Sequence, residues 1–274
     1  MGRRPRRRDG RARRAPVPAR RGGGGVVDTH AHLDSCEGEP DAILAEARAA
    51  GVERVVTIGV GLESSERAVA LAEAHDMVRA AVGVHPYDAD GYGPGDEAWI
   101  ARLAAHPAVV AVGECGLDFH RPNAAPGDQR RAFASQIGIA REAGLPVVVH
   151  TRDAARETLD VLAAEAEGHP VILHCFSIPE HLDEVVERGY MTSFAGQTTF
   201  PRSEALHAAA RDVPDRLLLV ETDSPYLAPV PRRGRPNTPA NVAHTLRFIA
   251  GLRGVTEAEL DALTTRNAAR VFGW

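Results

Sequence analysis

Lysine is absent from this chain of 274 residues, and all 32 basic residues are Arg. The absence removes the lysine Schiff base and the phosphate-binding P-loop, which both need that side chain. Cysteine is scarce: the chain has three, Cys36, Cys115 and Cys175. An odd count at wide spacing makes no disulfide framework and points to a reducing, cytoplasmic setting. Aromatic residues make up 5%, too few for a long stacking groove along a nucleic acid. No uncharged apolar run reaches the roughly 18–20 residues of a membrane span. No apolar h-region follows the basic start, so neither a secretory nor a twin-arginine signal is expected. What is plentiful is apolar surface: at 44% apolar residues the chain can bury a core, which excludes wholesale disorder.

The net charge of −5 conceals two segments. Residues 1–25 hold ten Arg and one acid, Asp9, a net of +9; the remainder carries −14. Pro5, Pro16, Pro18 and the run Gly22 to Gly25 oppose helix and strand, so 1–25 reads as a disordered Arg-rich arm. A solvated extension is the favoured reading of the arm. An electrostatic hold on nucleic acid is the alternative. Residues 26–274 form the second unit.

From residue 26 the chain alternates between β-branched runs and Ala/Leu/Glu/Arg-rich helical stretches. Strands are expected at Val26–His30, Arg54–Val60, Val78–His85, Val109–Leu117, Val147–Thr151, Val171–Phe176, Tyr190–Ala195 and Leu217–Thr222. Helices are expected between them, and two more after the last. Pro40 and Pro239 suit first helical positions, and Thr256 with Glu259 has the form of a capping box. Eight strands alternating with helices over ~250 residues predict an α/β fold, the (β/α)8 TIM barrel. A doubly wound open sheet is the competitor. Thr29-His30-Ala31-His32 occupies the place where such a sheet would carry its glycine-rich dinucleotide fingerprint.

The residues that end the strands favour the barrel. Six of the eight apolar runs stop on a metal-capable or titratable side chain, and a barrel gathers such ends on one face. His30 and His32 are two apart, so an extended strand aims both imidazoles at one point. With Glu114, His150, His174 and Asp223 they supply four imidazoles and two carboxylates. One tetrahedral ion rarely needs more than four protein ligands. Six ligands with a central carboxylate imply two divalent cations about 3.5–4 Å apart, bridged by Glu114. Zn, Mn and Mg are the candidate metals. His75, His106, His169, His181, His207 and His244 fall on helical segments and read as structural; His120 reads as a rim residue.

The motifs match a known family. They are Asp28 through Asp34 (DTHAHLD), Gly83-Val84-His85-Pro86, Gly113 through Asp118 (GECGLD), Pro146 through Arg152 (PVVVHTR), His174-Cys175-Phe176-Ser177 and Glu221 through Pro229 (ETDSPYLAP). Between Val26 and Trp274 the sequence resembles the TatD family of metal-dependent deoxyribonucleases. The resemblance implies a barrel hydrolase that cleaves phosphodiester bonds in DNA. By motif position it implies the ligands His30, His32, Glu114, His150, His174 and Asp223. Two positions depart from the family pattern: Ile178 stands where Gly is usual, and Thr238 where an acid is usual. Both bear on substrate preference more than on catalysis.

The expected chemistry is hydrolysis by metal-activated water, with Asp223 and Glu114 as catalytic carboxylates. His85, Arg152, Arg233 and Arg235 are the candidate substrate contacts, guanidinium being suited to phosphate oxygens. Glu221, as the same-face neighbour of Asp223, is a candidate to orient ligands; Asp118 and Asp28 are weaker ones. Tyr226 and Phe119 could stack on bases, while Phe176 reads as core. Cys115 and Cys175 read as small buried hydrophobes facing away from their ligand neighbours. The expected partner is single-stranded DNA, engaged at a strand end, with neither a membrane nor an obligate protein partner. Two other functions stay open: a barrel hydrolase acting on a small amide, ester or lactone, and a non-enzymatic nucleic-acid binder working through the arm.

Overall fold

Runs rich in Val, Ile and Leu, buried on both faces, form strands that a parallel sheet can hold only under a cover of helices. The computed structural model describes residues 25–121 and 123–274. Apart from Gly25, the expected arm at 1–25 lies outside them. The strands are β1 (Val26–Ala31), β2 (Val52–Ile58), β3 (Val78–Val82), β4 (Val109–Asp118), β5 (Val147–Arg152), β6 (Val171–Leu173), β7 (Met191–Phe194) and β8 (Leu218–Val220). The helices are α1 (Pro40–Ala49), α2 (Leu62–Ala74), α3 (Pro94–Ala104), α4 (Pro126–Ala143), α5 (Ala155–Glu165), α6 (Leu182–Glu187), α7 (Glu204–Asp212), α8 (Val242–Arg253) and α9 (Glu257–Phe272). Short 3-10 turns lead into several of them.

The strands pair in parallel in the order β1 to β8. The ring is a (β/α)8 barrel, which excludes the open sheet. Between β8 and β1 the closure is made mostly beyond the ladder. Asp28 accepts the Thr222 N–H at 2.9 Å and the Thr222 hydroxyl at 2.6 Å. The His32 N–H donates to the Ser224 carbonyl at 2.7 Å, and the Asp223 N–H to that of His30 at 2.9 Å. Asp28 therefore serves the seam of the barrel and orients no imidazole. Its complete burial pushes its pKa up to about 8, against the Thr222 hydrogen bonds.

Local signals behave as the sequence indicates. Pro40 opens α1, and Thr256 with Glu259 caps α9 reciprocally. Thr238 precedes the Pro239–Asn241 turn that feeds α8, though its side chain makes no cap there. The strand ends differ from expectation. The ladders of β3, β6 and β8 stop at Val82, Leu173 and Val220, so His85, His174 and Asp223 lie just past them. The backbone there leaves extended geometry: Cys175 has φ of 43° and Asp223 of 53°. β2 starts at Val52 and ends at Ile58, because Ser64 then takes the Val60 and Gly61 N–H groups into the start of α2.

Candidate metal centre and active site

Glu114 sits in the middle of β4 and is the hub of the site. The register against β5 shifts between Val112 and Cys115, and such an irregularity re-aims a side chain. Gly113 lies inside the irregularity, with φ of 134° and a Cβ position 2.4 Å from the Val148 carbonyl oxygen, and just beyond it comes Gly116. Its φ is 142°, and a Cβ there would lie 2.0 Å from the His150 carbonyl oxygen. Only glycine allows β4 and β5 to come this close with the Glu114 and His150 side chains converging.

The two Glu114 oxygens face different partners. Oε2 lies 3.3 Å from His30 Nε2 and 3.7 Å from His32 Nε2. Oε1 lies 2.8 Å from both His150 Nδ1 and His174 Nε2, and 3.5 Å from His85 Nε2. Asp223 Oδ1 lies 3.5 Å from His32 Nε2 and 3.8 Å from His30 Nε2. The four imidazoles and two carboxylates expected to act together are thus in one buried cluster. Asp223 reaches it from a left-handed turn that Asp tolerates better than most residues. The i, i+2 strand alternation invoked for Glu221 and Asp223 does not hold, since β8 has already ended. Both side chains still reach the cluster, by different routes.

A second layer of carboxylates fixes which nitrogen of each ring faces Glu114. Asp118 Oδ2 lies 3.0 Å from His150 Nε2, and Glu221 Oε1 lies 3.3 Å from His174 Nδ1. A ring that donates one N–H to a carboxylate presents the lone pair of its other nitrogen. His150 Nδ1 and His174 Nε2, each 2.8 Å from Glu114 Oε1, donate to that carboxylate and would present lone pairs to a cation that displaced those hydrogens. His85 is different. Its Nδ1 accepts the Tyr87 N–H at 3.1 Å, so its neutral ring carries hydrogen on Nε2 and presents a donor to the cluster.

Electrostatics agree with this division. Burial opposes ionisation of Glu114, but the His174 and His85 rings and hydrogen bonds from His150 and His174 hold it well below the ordinary carboxylate range. Burial pushes His30 and His85 down, toward neutral imidazole. For His174, the charges of Glu114 and Glu221 overcome burial and push it well up. A buried anion that draws protons onto its imidazoles also draws a cation, which displaces those protons on binding. Three groups of side chains here have ligand atoms within 4.8 Å of one another: His30–His174–Asp223, His30–His32–Glu114 and His85–Glu114–His150. The donor set fits divalent cations bound by nitrogen and oxygen.

The expected cationic contacts lie outside the cluster. Arg152 ends β5 and is exposed, as are Arg233 and Arg235 on the loop after β8. The Arg233 guanidinium stacks on Phe200 at 4.0 Å. Tyr226 is 57% exposed and meets the His32 ring edge-on at 5.9 Å. Phe176 is core, and Phe119 packs against it in part. Cys115 is buried, but Cys175 requires a correction. It lies beyond β6 on left-handed backbone and is only partly buried; its sulfur accepts from Gln197 at 3.0 Å. Strand alternation does not apply where the strand has ended. His120 is exposed and pairs with Asp153 at 2.8 Å. Asn237, passed over in the sequence, is 1% exposed and donates to the Thr222 and Tyr226 carbonyls, tying the loop after β8 to the site.

Comparison with known proteins adds the family. The TatD related DNase family matches residues 27–273. The chain belongs to the TatD family. A protein of Mycobacterium tuberculosis named uncharacterized metal-dependent hydrolase TatD is 42% identical over 259 residues, covering 90% of this chain and 98% of the relative. A Cronobacter sakazakii relative, named 3'-5' ssDNA/RNA exonuclease TatD, is 39% identical over 239 residues, covering 85% and 91%. The fold overlays on the crystal structure of YJJV, a TatD homolog from Escherichia coli K12, with a TM-score of 0.86 at 27% identity, covering 91% and 98%. This TatD chain is a metal-dependent hydrolase. Among the described residues, no helix is long and apolar enough to cross a membrane.

Proposed function

We propose that this hydrolase cleaves phosphodiester bonds at the ends of single-stranded DNA, using two divalent cations of the Zn, Mn or Mg type. The observation that carries the reading is the split of Glu114, one oxygen toward His30 and His32 and the other toward His150 and His174. A carboxylate placed so can bridge two cations. His30, His32 and Asp223 would complete one side, and His150 and His174 the other. Bound divalent cations supply Lewis acidity, activating water and neutralising charge on a phosphate oxygen.

The chain's own groups supply the rest. Asp223 accepts the proton of the attacking water. His85 donates its Nε2–H to a phosphate oxygen, and Asp118 and Glu221 hold the His150 and His174 rings in one tautomer. Arg152, Arg233 and Arg235 attract the polyanion toward an otherwise acidic barrel. Tyr226 offers an exposed ring to a terminal base. The exonuclease name of the Cronobacter relative supports the substrate class. The test is elemental analysis of purified protein together with cleavage of end-labelled single-stranded DNA with and without chelator. Bound metal and chelator-sensitive trimming from one end are expected. Metal-bound protein that hydrolyses small esters or lactones but no DNA would overturn the reading.

A further inference from the structure

Helix α4 meets the barrel with a face that is apolar through Ala132, Phe133, Ile137 and Ala140, and polar at two buried places. Gln129 and Gln136 are 1% and 0% exposed. They are seven residues apart, so two helical turns bring both to the same face. A buried primary amide is costly unless partnered, and both amides find partners in barrel main chain. Gln136 Oε1 accepts the Val84 N–H at 2.7 Å, and its Nε2 donates to the Val84 carbonyl at 3.0 Å. Gln129 Oε1 accepts the Asp118 N–H at 2.8 Å, and its Nε2 donates to the Asp118 carbonyl at 3.0 Å. Each amide closes a two-bond ring with one residue, as a neighbouring strand would.

The two rings hold different things. Asp118 is the last residue of β4, and its Oδ2 faces the Nε2–H of His150. Val84 lies past the end of β3 and precedes His85, whose ring presents a hydrogen to the cluster. α4 is anchored already by Phe133 and Ile137, both fully buried. Apolar residues at 129 and 136 would pack as well, but would leave two strand ends without partners.

We propose that Gln129 is a positioning residue for metal binding: it fixes the Asp118 backbone, and Asp118 fixes the tautomer and angle of His150. Gln136 does the same for His85, whose Nε2–H is a hydrogen-bond donor in the proposed function and no ligand. This rests on the reading of His150 as a ligand. The two amides therefore form a matched pair, with equal loss of buried hydrogen bonds and unequal consequence for metal.

The test is Zn²⁺ titration of metal-free full-length protein by competition with a chromophoric chelator, with melting temperature recorded in parallel. Gln129→Met keeps the length of the side chain and removes both bonds to Asp118 with a third to the Ala124 carbonyl, just as Gln136→Met removes both bonds to Val84 with a third to the Ala132 carbonyl. Gln129→Met is expected to weaken Zn²⁺ binding by about tenfold or more, the scale of a lost orienting group, and to change the visible spectrum of Co²⁺-loaded protein. Gln136→Met is expected to lower the melting temperature similarly, yet bind Zn²⁺ within about threefold of wild type, since it touches no ligand-orienting group. Gln129→Glu stays a neutral acid when buried. It retains an acceptor and a donor, so wild-type affinity should return. Equal weakening in Gln129→Met and Gln136→Met would show general damage and overturn the proposal. An unchanged Co²⁺ spectrum in folded Gln129→Met would overturn it too. His150→Ala, measured alongside, separates the two levels. If it weakens Zn²⁺ binding while Gln129→Met does not, the positioning role alone fails. If His150→Ala binds Zn²⁺ as wild type does, the ligand reading and the proposal fall together.

Discussion

Gly116→Ala adds one methyl group at the closest approach of β4 and β5. The new Cβ would stand 2.0 Å from the His150 carbonyl oxygen and 3.0 Å from its carbonyl carbon and nitrogen. Real Cβ atoms essentially never come within 3.0 Å, so the strands must part by about 1 Å or Gly116 must abandon its φ of 142°. A non-glycine residue held in such backbone costs about 1–3 kcal/mol. Overpacking a well-filled core adds about 1–3 kcal/mol. Their middle is about 4 kcal/mol. In a barrel of this size each kcal/mol lowers the melting temperature by roughly 2–4 °C, so a fall of about 8–16 °C is expected. The displaced backbone belongs to His150, so metal affinity should fall with it. Differential scanning calorimetry and Zn²⁺ titration check both. Gly138→Ala is the internal comparison: Gly138 is exposed in α4 with nothing within 4 Å of its Cβ position. There the same substitution should stabilise by about 0.5–1 kcal/mol. A Gly116→Ala protein that melts within about 2 °C of wild type and keeps its metal would refute the claim that glycine sets the β4–β5 approach.

Asp223→Asn should lower turnover by at least about 100-fold, the scale of a lost general base. Its melting temperature should stay near that of wild type, because Asn also tolerates the left-handed turn; steady-state kinetics and calorimetry separate the two. Chelator should lower the melting temperature of metal-loaded protein, since a ligand at a hundredfold excess over its Kd stabilises by about 2.7 kcal/mol; an unchanged melt would show that the cluster holds no cation. Glu184 of α6 receives Arg156 and Arg188, whose hydrogen bonds hold its carboxyl at about 2. A folded pKa below the unfolded value of about 4.3 means that the bridge stabilises fully above that value and is lost as pH falls toward 2. Glu184→Gln should therefore lower the melting temperature at neutral pH and flatten its decline across that window, so that variant and wild type converge as pH falls toward 2.

Much of this site was legible along the chain. β-branched runs of strand length, separated by amphipathic helical stretches, specify a parallel barrel, because each pattern buries its apolar face in one way. Strand ends then share a rim, so a His or an acid at each end is already a cluster. Glu114 could be singled out as central because it lies mid-chain among the imidazoles. Strand alternation failed where strands stopped early. Cys175 and Asp223 sit on left-handed backbone, where the two-residue period has no meaning.

The sequence by itself determined the barrel, the six side chains of the cluster and the division of the charge between residues 1–25 and the rest. Tertiary structure alone decided that Asp28 closes the seam and that Asp118 and Glu221 each take one imidazole. It also decided that His85 accepts a backbone N–H at Nδ1 where His150 stands between two carboxylates, and that Gln129 and Gln136 finish strands from a helix. The reason is physical. Composition and periodicity report which residues are buried and on which face, whereas a hydrogen bond across 32 or 52 residues depends on how neighbouring strands are staggered, which no local pattern records.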